Sequence, residues 1–244
     1  MPFMSPMLAS PMPKVALDLA DGAWAAEEKF DGHRLIVEVS GGAYRQAHGN
    51  PSGKVTAWGR YGIVRELPTH ITDVLATFPS GVYDGELIAP GKRSYGVTEL
   101  VNSAALVYVI FDLLVLGDTL ATAQTYDQRR ECLGKLFECI PETPAVVLAQ
   151  SAVVTSNEQI QTLLKAVWAQ DGEGLILKRR AAVYYVGKRS KDFIKLKKLQ
   201  TAVLTVPGFE ASKGTKQNRG AFATVVLIDD DGNKTTVKHS TTRS

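Results

Sequence analysis

The sequence predicts an α+β protein in two parts, a mixed domain over residues 1–199 and a short all-β domain over residues 200–244. Strand-like runs of alternating or β-branched residues recur through the first part, and two segments with apolar residues at helical spacing lie among them. Beyond residue 199 the strand-like runs are short and are joined by polar, glycine-containing turns. The 244 residues, 45% hydrophobic and 22% charged, exclude a disordered chain and a disulfide-stabilised mini-protein.

The elements of the first part follow from local patterns. The opening residues are rich in Pro and Met, which favours an extended arm over a helix. The remaining predicted elements are, in chain order, two strands within Trp24–Val39 joined by a D-G turn, strands Gly81–Ala89 and Val107–Leu116, helices Tyr126–Ile140 and Asn157–Ala169, and strands Gly174–Lys178 and Phe193–Lys197.

The second part consists of three predicted strands, Val203–Phe209, Ala221–Ile228 and Lys234–His239. A D-D-D-G-N turn separates the last two. The length of this second part allows three or four strands, which is fewer than a closed five-stranded barrel needs.

The charge of the chain is unevenly distributed. The net charge is +3, yet residues 178–198 hold nine Lys and Arg against one Asp, and residues 1–177 are net negative. Within this basic segment, Lys188, Arg189 and Lys191 are expected in an outward-facing loop, Gly187–Asp192, far from the residues around Lys29. A concentrated basic segment on an acidic body predicts a polyanionic partner.

The cysteine pattern indicates a reducing compartment, and the apolar runs are too short for a membrane-spanning helix. Cys132 and Cys139 lie seven residues apart on one face of a predicted helix, where we expect small core residues rather than zinc ligands or a disulfide. No signal-type segment opens the sequence, which predicts a cytoplasmic location. The longest apolar run, 104–115, contains Asp112 and is too short to span a bilayer, so no membrane partner is expected.

The most informative segment is K-x-D-G-x-R, from Lys29 to Arg34. Two interpretations are open. D-G is a favoured turn dipeptide, so the segment could be a plain hairpin with solvated flanks. Alternatively, Lys29 is a nucleophile at a strand end, with Asp31 and Arg34 placed beside it by the turn. A lysine needs neighbouring cations or desolvation to lose its proton and act in this way.

Other charged segments favour the chemical interpretation. Asp84 and Glu86 flank a glycine at a strand end, Glu173 precedes a strand that ends in Lys178, and 195–197 is a K-x-K strand. Each could be an ordinary turn or a solvated strand face. Together they supply carboxylates for a hard divalent cation and ammonium groups for phosphate oxygens, which are the requirements of phosphoryl transfer.

In this combination and order the sequence resembles the covalent nucleotidyltransferases, and among them the ATP-dependent DNA ligases, in a small form like those of bacteria and phages. The resemblance runs from about Met7 to Gly220. The segments that carry it are M-L-A at Met7–Ala9, E-x-K-F-D-G-H-R at Glu27–Arg34, G-R-Y-G at Gly59–Gly62, D-G-E-L at Asp84–Leu87, V-I-F-D-L-L at Val109–Leu114, Y-D-Q-R-R-E at Tyr126–Glu131, E-G-L-I-L-K at Glu173–Lys178 and F-I-K-L-K at Phe193–Lys197.

The resemblance implies a nucleotidyltransferase (adenylation) domain of antiparallel sheets with flanking helices, followed by an incomplete OB-fold. It also implies a role for each matched residue: Lys29 as the nucleophile that carries AMP, Glu27 as an adenine contact, Arg34 at the ribose, Arg60 at the ribose or the nick phosphate, Glu86 at the ribose or a metal, Phe111 and Ile176 against the two faces of adenine, Glu173 at Mg²⁺, and Lys195 and Lys197 at the α-phosphate.

The implied reaction has three steps. Lys29 attacks the α-phosphorus of ATP and keeps AMP, AMP passes to the 5′-phosphate of a nicked duplex, and the 3′-hydroxyl then displaces AMP. The implied cofactors are ATP and Mg²⁺, with Mn²⁺ as a possible substitute. The implied partner is nicked double-stranded DNA, and the chain is expected to be a monomer. The implied roles are DNA repair, replication and recombination.

One family segment has no match. An R-x-D-K-like segment late in the OB domain orients the pyrophosphate leaving group, but here Arg243 is followed only by Ser244. Two alternatives are left open: a shortened sequence, or a minimal enzyme that orients pyrophosphate with other groups.

Four other classes of protein share parts of this pattern. RNA ligases and mRNA-capping guanylyltransferases have the same core, although the D-L-L and Y-x-x-R-R-E segments favour DNA joining. A binding protein with an OB-fold and a degenerate transferase domain is disfavoured, because the lysines and carboxylates needed for catalysis are present. NAD-dependent ligases would bring an upstream domain and a Cys-rich zinc module, and neither fits this sequence.

Overall fold

A computed structural model describes residues 2–13, 16–19, 22–41, 53–100 and 103–197, together with the backbone of three later strands. The chain divides into two compact units, Met1–Lys198 and Leu199–Ser244. This division lies one residue before the predicted boundary. Among the described residues, no helix is both long and apolar enough to cross a membrane.

The described part of the first unit combines twelve strands with four α-helices. The strands are β1 (Leu8–Pro11), β2 (Trp24–Glu28), β3 (His33–Ser40), β4 (Lys54–Gly59), β5 (Val64–Arg65), β6 (Gly81–Ile88), β7 (Val107–Leu116), β8 (Thr119–Leu120), β9 (Val146–Leu148), β10 (Ser151–Val154), β11 (Gly174–Arg179) and β12 (Arg189–Lys197). The helices are α1 (Thr69–Leu75), α2 (Ser94–Glu99), α3 (Tyr126–Cys139) and α4 (Asn157–Ala169).

These strands form two sheets. One has the order β1-β12-β11-β2-β10 and is antiparallel except for the β1–β12 pair. The other has the order β5-β4-β3-β6-β7-β8, with β9 pairing in parallel beside β7. Because consecutive strands β2 and β3 belong to different sheets, the chain crosses from one sheet to the other at residues 29–32.

The D-G turn is therefore not a hairpin, and the plain-hairpin interpretation of K-x-D-G-x-R is wrong. Gly32 lies against the backbone of β6, where a Cβ atom would come within 2.2 Å of the Leu87 carbonyl oxygen. This close approach requires glycine and lets the chain pass directly onto the second sheet.

Each sheet buries one face under helices. Ile160 and Leu164 of α4 pack with Leu175 and Leu177 of β11 to form the core below the five-stranded sheet. The second sheet packs one face against α1 and α3, which forms a second core cluster. A third cluster lies between the two sheets and joins their facing surfaces; it includes Met7, Ile36, Val82, Tyr184 and Phe193. The space between the sheets beyond this cluster is where polar side chains converge.

Local sequence explains where the two longer helices begin. Thr125 caps α3 in a reciprocal arrangement, in which its hydroxyl accepts from the Gln128 amide and its own amide donates to the Gln128 side chain at 2.9 Å. Ser156 caps α4 in the same position, accepting from the Gln159 amide. Both helices start at the predicted residue.

Two expectations in the first unit are wrong. Strand β12 begins at Arg189, four residues before the predicted Phe193, so Arg189 and Lys191 lie on a strand rather than in a loop. The longer strand forms because it also pairs with β1, whose Leu8 lies opposite Arg189. Cys139 is exposed at the end of α3 and is not a core residue, whereas Cys132 is half-buried; both are free thiols.

In the second unit the structure describes the backbone of β13 (Thr205–Ala211), β14 (Phe222–Ile228) and β15 (Lys234–Lys238). They form an antiparallel sheet in the order β13-β14-β15. Predicted strand residues 203, 204, 221 and 239 lie outside the described residues, and the OB-fold stays a prediction.

Candidate active site

A cavity of about 280 Å³ lies between the two sheets of the first unit. Its lining residues come from both sheets and from the N-terminal arm: Pro6, Leu8, Ala9, Glu27, Glu28, Lys29, Phe30, Arg34, Arg60, Glu86, Phe111, Ile176, Lys178, Arg189, Lys195 and Lys197. Nine of the eleven predicted site residues are among them. These nine residues therefore border one cavity, which is bounded by strands that are distant in sequence.

Strand register explains the five-stranded side of this cavity. Ile176 on β11 lies directly opposite Glu27 on one neighbour and Lys195 on the other, so these three side chains form one row across the sheet. Side chains on a strand alternate between the two faces, and Leu175 and Leu177 accordingly point into the core below. Gly174 continues the cavity-facing series at φ 151°, where a Cβ atom would collide with the Leu196 carbonyl oxygen.

Lys29 lies just beyond the end of β2, where its amide donates to the Gly174 carbonyl at 2.8 Å. Its ammonium contacts one oxygen of Glu173, and the ammonium of Lys197 contacts the other. Burial would raise the pKa of Glu173, but hydrogen bonds from Lys197 and Lys29 outweigh burial and hold this pKa below the usual value of a glutamate. Glu173 is thus an ionised carboxylate shared by two lysines.

The basic edge of the cavity consists of Lys195, Lys197 and Arg189 on β12, beside Lys29. Desolvation lowers the pKa of Lys195, and the positive charges of Lys197 and Arg189 lower it further. Cations this close together repel one another unless an anion lies between them. This edge of the cavity can bind a phosphate group.

The opposite wall comes from the second sheet. Arg34 on β3 makes a two-pronged ion pair with Asp84 on β6, with donor–acceptor distances of 2.5 and 2.6 Å. The Arg34 guanidinium also lies 4.6 Å from the ring centre of Phe111. Tyr184 donates to the same Asp84 carboxylate at 2.6 Å, which fixes Arg34 from behind.

Glu86 faces the cavity from β6 without a cation in direct contact among the described ion pairs. Desolvation raises its pKa to about 7, against the opposing effect of the positive charges of Arg34 and Lys29. The folded protein therefore holds a proton on Glu86 at pH values where the unfolded chain, with an ordinary pKa of 4.5, has lost it.

This difference predicts a pH-dependent effect of Glu86→Gln. A raised carboxyl pKa adds stability that is fully present below about pH 4.5 and is lost as the pH rises through about 7. Removing the titration should therefore favour the variant more at pH 8 than at pH 5. The measurement is the difference in melting temperature between variant and wild type at both pH values, in magnesium-free buffer. The exposed Glu142→Gln should show the same difference at both pH values, and a Glu86→Gln difference that does not change with pH would contradict the assignment.

Sequence reasoning missed a buried ion network behind the cavity. Lys178 is 2% exposed, lies 2.7 Å from one Glu27 oxygen, and donates to the Phe111 carbonyl at 2.9 Å. Asp112 lies 3.9 Å from Lys178 and accepts a two-pronged ion pair from the fully buried Arg129, at 2.6 and 3.1 Å. All four residues lie in segments that carry the family resemblance, and Lys178 is two residues beyond Ile176 on the same strand face, but no local pattern indicated that they contact one another.

Two predicted site residues lie outside the cavity. Asp31 and Glu173 line an adjoining cleft on the other side of Lys29, and Lys29 borders both spaces. Glu173 nevertheless contacts Lys29 directly, whereas the ion-pair partner of Asp31 is Arg93 at 3.9 Å. Asp31 therefore lies outside the cavity that the other predicted residues line.

The carboxylates fit a magnesium ion that is held mainly by a substrate. Among the described residues, no group of three or more His, Cys, Asp or Glu side chains could hold a metal by itself. Magnesium usually keeps several waters and binds one or two carboxylates together with substrate phosphates. Glu86 and Glu173, on opposite sides of Lys29, fit that requirement.

Comparisons with known proteins agree with this geometry. The model of the family described as the ATP dependent DNA ligase domain matches residues 6–197. A DNA ligase of Methanothrix thermoacetophila is 24% identical over 92% of this chain and 41% of its own length. A solved Lig E DNA ligase has a TM-score of 0.71 and 22% identity, covering 97% of this chain and 84% of that chain. A mycobacterial DNA ligase D complexed with ATP has a TM-score of 0.60 and 23% identity, covering 92% and 67%.

Fold and site together define a nucleotidyltransferase domain, which confirms the predicted fold class of the first part. The chain belongs to the ATP-dependent DNA ligase domain family, as its resemblance to that family implied. It spans about two fifths of the length of the first curated relatives that it matches.

Proposed function

We propose that this chain is an ATP-dependent DNA ligase that seals nicks in duplex DNA through a lysyl-AMP intermediate. The observation that carries the proposal is Lys29 at the border of the cavity, in contact with Glu173 and beside the basic edge of β12. This arrangement puts a nucleophile, a neighbouring carboxylate and a phosphate-binding edge within one site. The family match favours DNA joining over RNA joining or capping.

In the first step the Lys29 nitrogen forms a bond to the α-phosphorus of ATP, and the bond from that phosphorus to the bridging oxygen breaks. Pyrophosphate leaves with the electron pair, and the proton that Lys29 loses before it attacks passes to solvent. Lys195 and Lys197 neutralise the α-phosphate. Phosphoryl transfer depends chiefly on such positioning and charge neutralisation.

The nucleotide base would occupy the end of the cavity formed by Glu27, Phe111 and Ile176, and Arg34 and Arg60, which line the same cavity, would contact the ribose. Magnesium, or manganese in its place, would neutralise phosphate charge when it is bound. Glu86 and Glu173 would hold it. The residues of the chain itself bind and orient the substrate.

Two measurements test this proposal. Incubation of the full chain with ATP and magnesium should add the mass of AMP, and the charged protein should then join a nicked duplex. An adduct of GMP in preference to AMP would indicate capping. Joining of nicked RNA but not DNA would indicate an RNA ligase. The absence of any adduct would indicate a binding protein and contradict the proposal.

The basic segment is expected to contact DNA phosphates through its exposed lysines. Lys188 and Lys191 are exposed and do not line the cavity, whereas Arg189 does and is left unchanged. The double change Lys188→Ala/Lys191→Ala should weaken binding to a nicked duplex and reduce the slope of log affinity against log salt by up to about 0.9 per lost contact. Attachment of AMP should stay normal.

The matched control is Lys135→Ala/Lys165→Ala, which removes two exposed lysines from α3 and α4. It should leave the salt slope at its wild-type value. An equal effect of the two double changes would mean that net charge, rather than this segment, governs binding. The monomeric state and the cytoplasmic location stay predictions.

A further inference from the structure

The cations that line the cavity differ in whether a carboxylate neutralises them. Four of the seven lysines and arginines in the lining are ion-paired: Lys29, Arg34, Lys178 and Lys197. The other three take part in no ion pair among the described residues: Arg60, Arg189 and Lys195. A triphosphate carries several negative charges, so a site for it needs cations that no carboxylate already neutralises. These three side chains meet that requirement.

Strand β12 carries its cations in a row that leads away from Lys29. Lys197 contacts the same carboxylate as Lys29. Lys195 comes next, two residues earlier on the same strand face, and Arg189 is the farthest along the strand. Desolvation lowers the pKa of Lys195, and the positive charges of the other three cations lower it further, so Lys195 is within electrostatic range of each. Lys195 is therefore the middle cation of the row.

The N-terminal arm brings Arg189 close to Lys195 and holds it at the cavity. On β1, Leu8 pairs with Arg189 and Pro11 pairs with Lys195. Three positions of an extended strand span about 10 Å, although six positions separate the two cations on β12, because extra residues of β12 form a bulge between them. The Arg189 guanidinium donates to the Ala9 carbonyl, and both residues line the cavity. Arg189 and Lys195 can therefore contact neighbouring phosphates of one ligand.

The geometry of phosphoryl transfer directs the leaving group toward Arg189. Attacking and leaving atoms are roughly in line, so pyrophosphate departs from the side of the α-phosphorus that faces away from Lys29. With the α-phosphate at Lys195, this direction follows the row to Arg189. Arg60 is outside the row, because it belongs to the other sheet and its guanidinium lies 5.7 Å from the ring centre of Tyr61.

We propose that Arg189 binds the β- and γ-phosphates of ATP and orients pyrophosphate as the leaving group of AMP attachment. The inference rests on the proposed function. As the bond between the α-phosphorus and the bridging oxygen breaks, its electron pair passes to that oxygen, and Arg189 neutralises the negative charge that develops there. A guanidinium suits this role, because its planar fork of donors matches phosphate oxygens. The first unit thereby contains its own group for orienting pyrophosphate.

The first test is equilibrium binding of ATP and AMP to the full chain without magnesium. Only ATP has β- and γ-phosphates, so wild type should bind it at least about tenfold more tightly than AMP. Arg189→Gln should bind ATP about tenfold more weakly than wild type does, and AMP within about twofold. Unchanged AMP binding would show that the arm, whose Leu8 and Ala9 line the cavity, has kept its place. Arg189→Lys keeps the charge and should recover part of the loss.

The matched control is Arg179→Gln, which removes an exposed arginine from the neighbouring strand β11, outside the cavity lining. It should bind both nucleotides as wild type does. An unchanged ratio of ATP to AMP affinity in Arg189→Gln, or an equal fall for both nucleotides, would overturn the inference. So would an equal effect of Arg179→Gln, or a wild type that binds AMP as tightly as ATP.

A second test separates the steps of the reaction. Arg189→Gln should slow AMP attachment from ATP, and the return of AMP from the charged protein to pyrophosphate, by the same factor of about ten or more. Joining of a nicked duplex that already carries AMP involves no pyrophosphate and should keep the wild-type rate. Slower joining of that duplex would mean that Arg189 binds DNA, which would overturn the inference. A wild type with an ATP preference that Arg189→Gln loses, but with no AMP adduct, would contradict the proposed ligase function instead.

Discussion

Lys29→Arg is expected to abolish attachment of AMP while leaving the fold and the binding of ATP intact. Arginine keeps the positive charge and can still pair with Glu173, so the ion pair beside the cavity is preserved. A guanidinium does not lose its proton in the accessible pH range and cannot act as the nucleophile. Intact mass after incubation with ATP and magnesium should show no AMP adduct, and calorimetry should show ATP binding within a few-fold of wild type.

The control is Lys135→Arg on the exposed face of α3, where an ion pair with Glu131 is preserved in the same way. This variant should be charged with AMP at the wild-type rate. A nicked duplex that already carries AMP on its 5′-phosphate bypasses the first step, so Lys29→Arg should still join it at a measurable rate. An AMP adduct on Lys29→Arg would show that another residue is the nucleophile.

Arg129→Met is expected to destabilise the first unit by about 3–5 kcal/mol, because it leaves the buried Asp112 carboxylate without its main partner. Both side chains of this pair are at most 1% exposed. Burial would raise the pKa of Asp112, but the charge of Arg129 and that of Lys178 outweigh it and lower the pKa. Methionine fills a similar volume, so the loss reports the charge rather than a cavity. Urea unfolding followed by circular dichroism measures the change.

The surface pair of the same helix provides the comparison. Lys135→Met breaks the Glu131–Lys135 ion pair, in which both side chains are well exposed, and should not change the unfolding free energy measurably. Adding Asp112→Asn to Arg129→Met should recover part of the lost stability, since it removes the unpaired charge. A loss below 1 kcal/mol in Arg129→Met would mean that water or another group compensates Asp112.

Local sequence patterns were sufficient to predict most individual strands and helices. Strand β7 and helix α4 have the bounds predicted from the sequence, because a run of β-branched and aromatic residues and an apolar helical spacing are properties of neighbouring residues. The start of α3 could also be predicted from the sequence, since its cap is formed by two residues three positions apart. The early start of β12 was missed because its first residues pair with β1, which is distant in sequence.

The candidate site likewise has residues that short segments predict and others whose position depends on contacts distant in sequence. Lys29, Glu86, Phe111 and Lys195 were predicted from short segments that resemble a known family, and all four line one cavity. Asp31, the immediate neighbour of the crossover glycine, was predicted beside them but lies in the adjoining cleft near Arg93. Spacing in sequence could not distinguish these positions, because the D-G segment passes between two sheets instead of closing a hairpin.

The sequence by itself predicted the types of element, the two-part organisation and the chemical groups at the candidate site, because these predictions depend on short segments. The tertiary structure alone decided how the groups combine. Lys29 meets Glu173 across 144 positions, and Tyr126 meets Glu27 across 99. Such contacts depend on which strands become neighbours and in what register. Strand pairing is set by the burial of whole sheet faces, so no local pattern contains it.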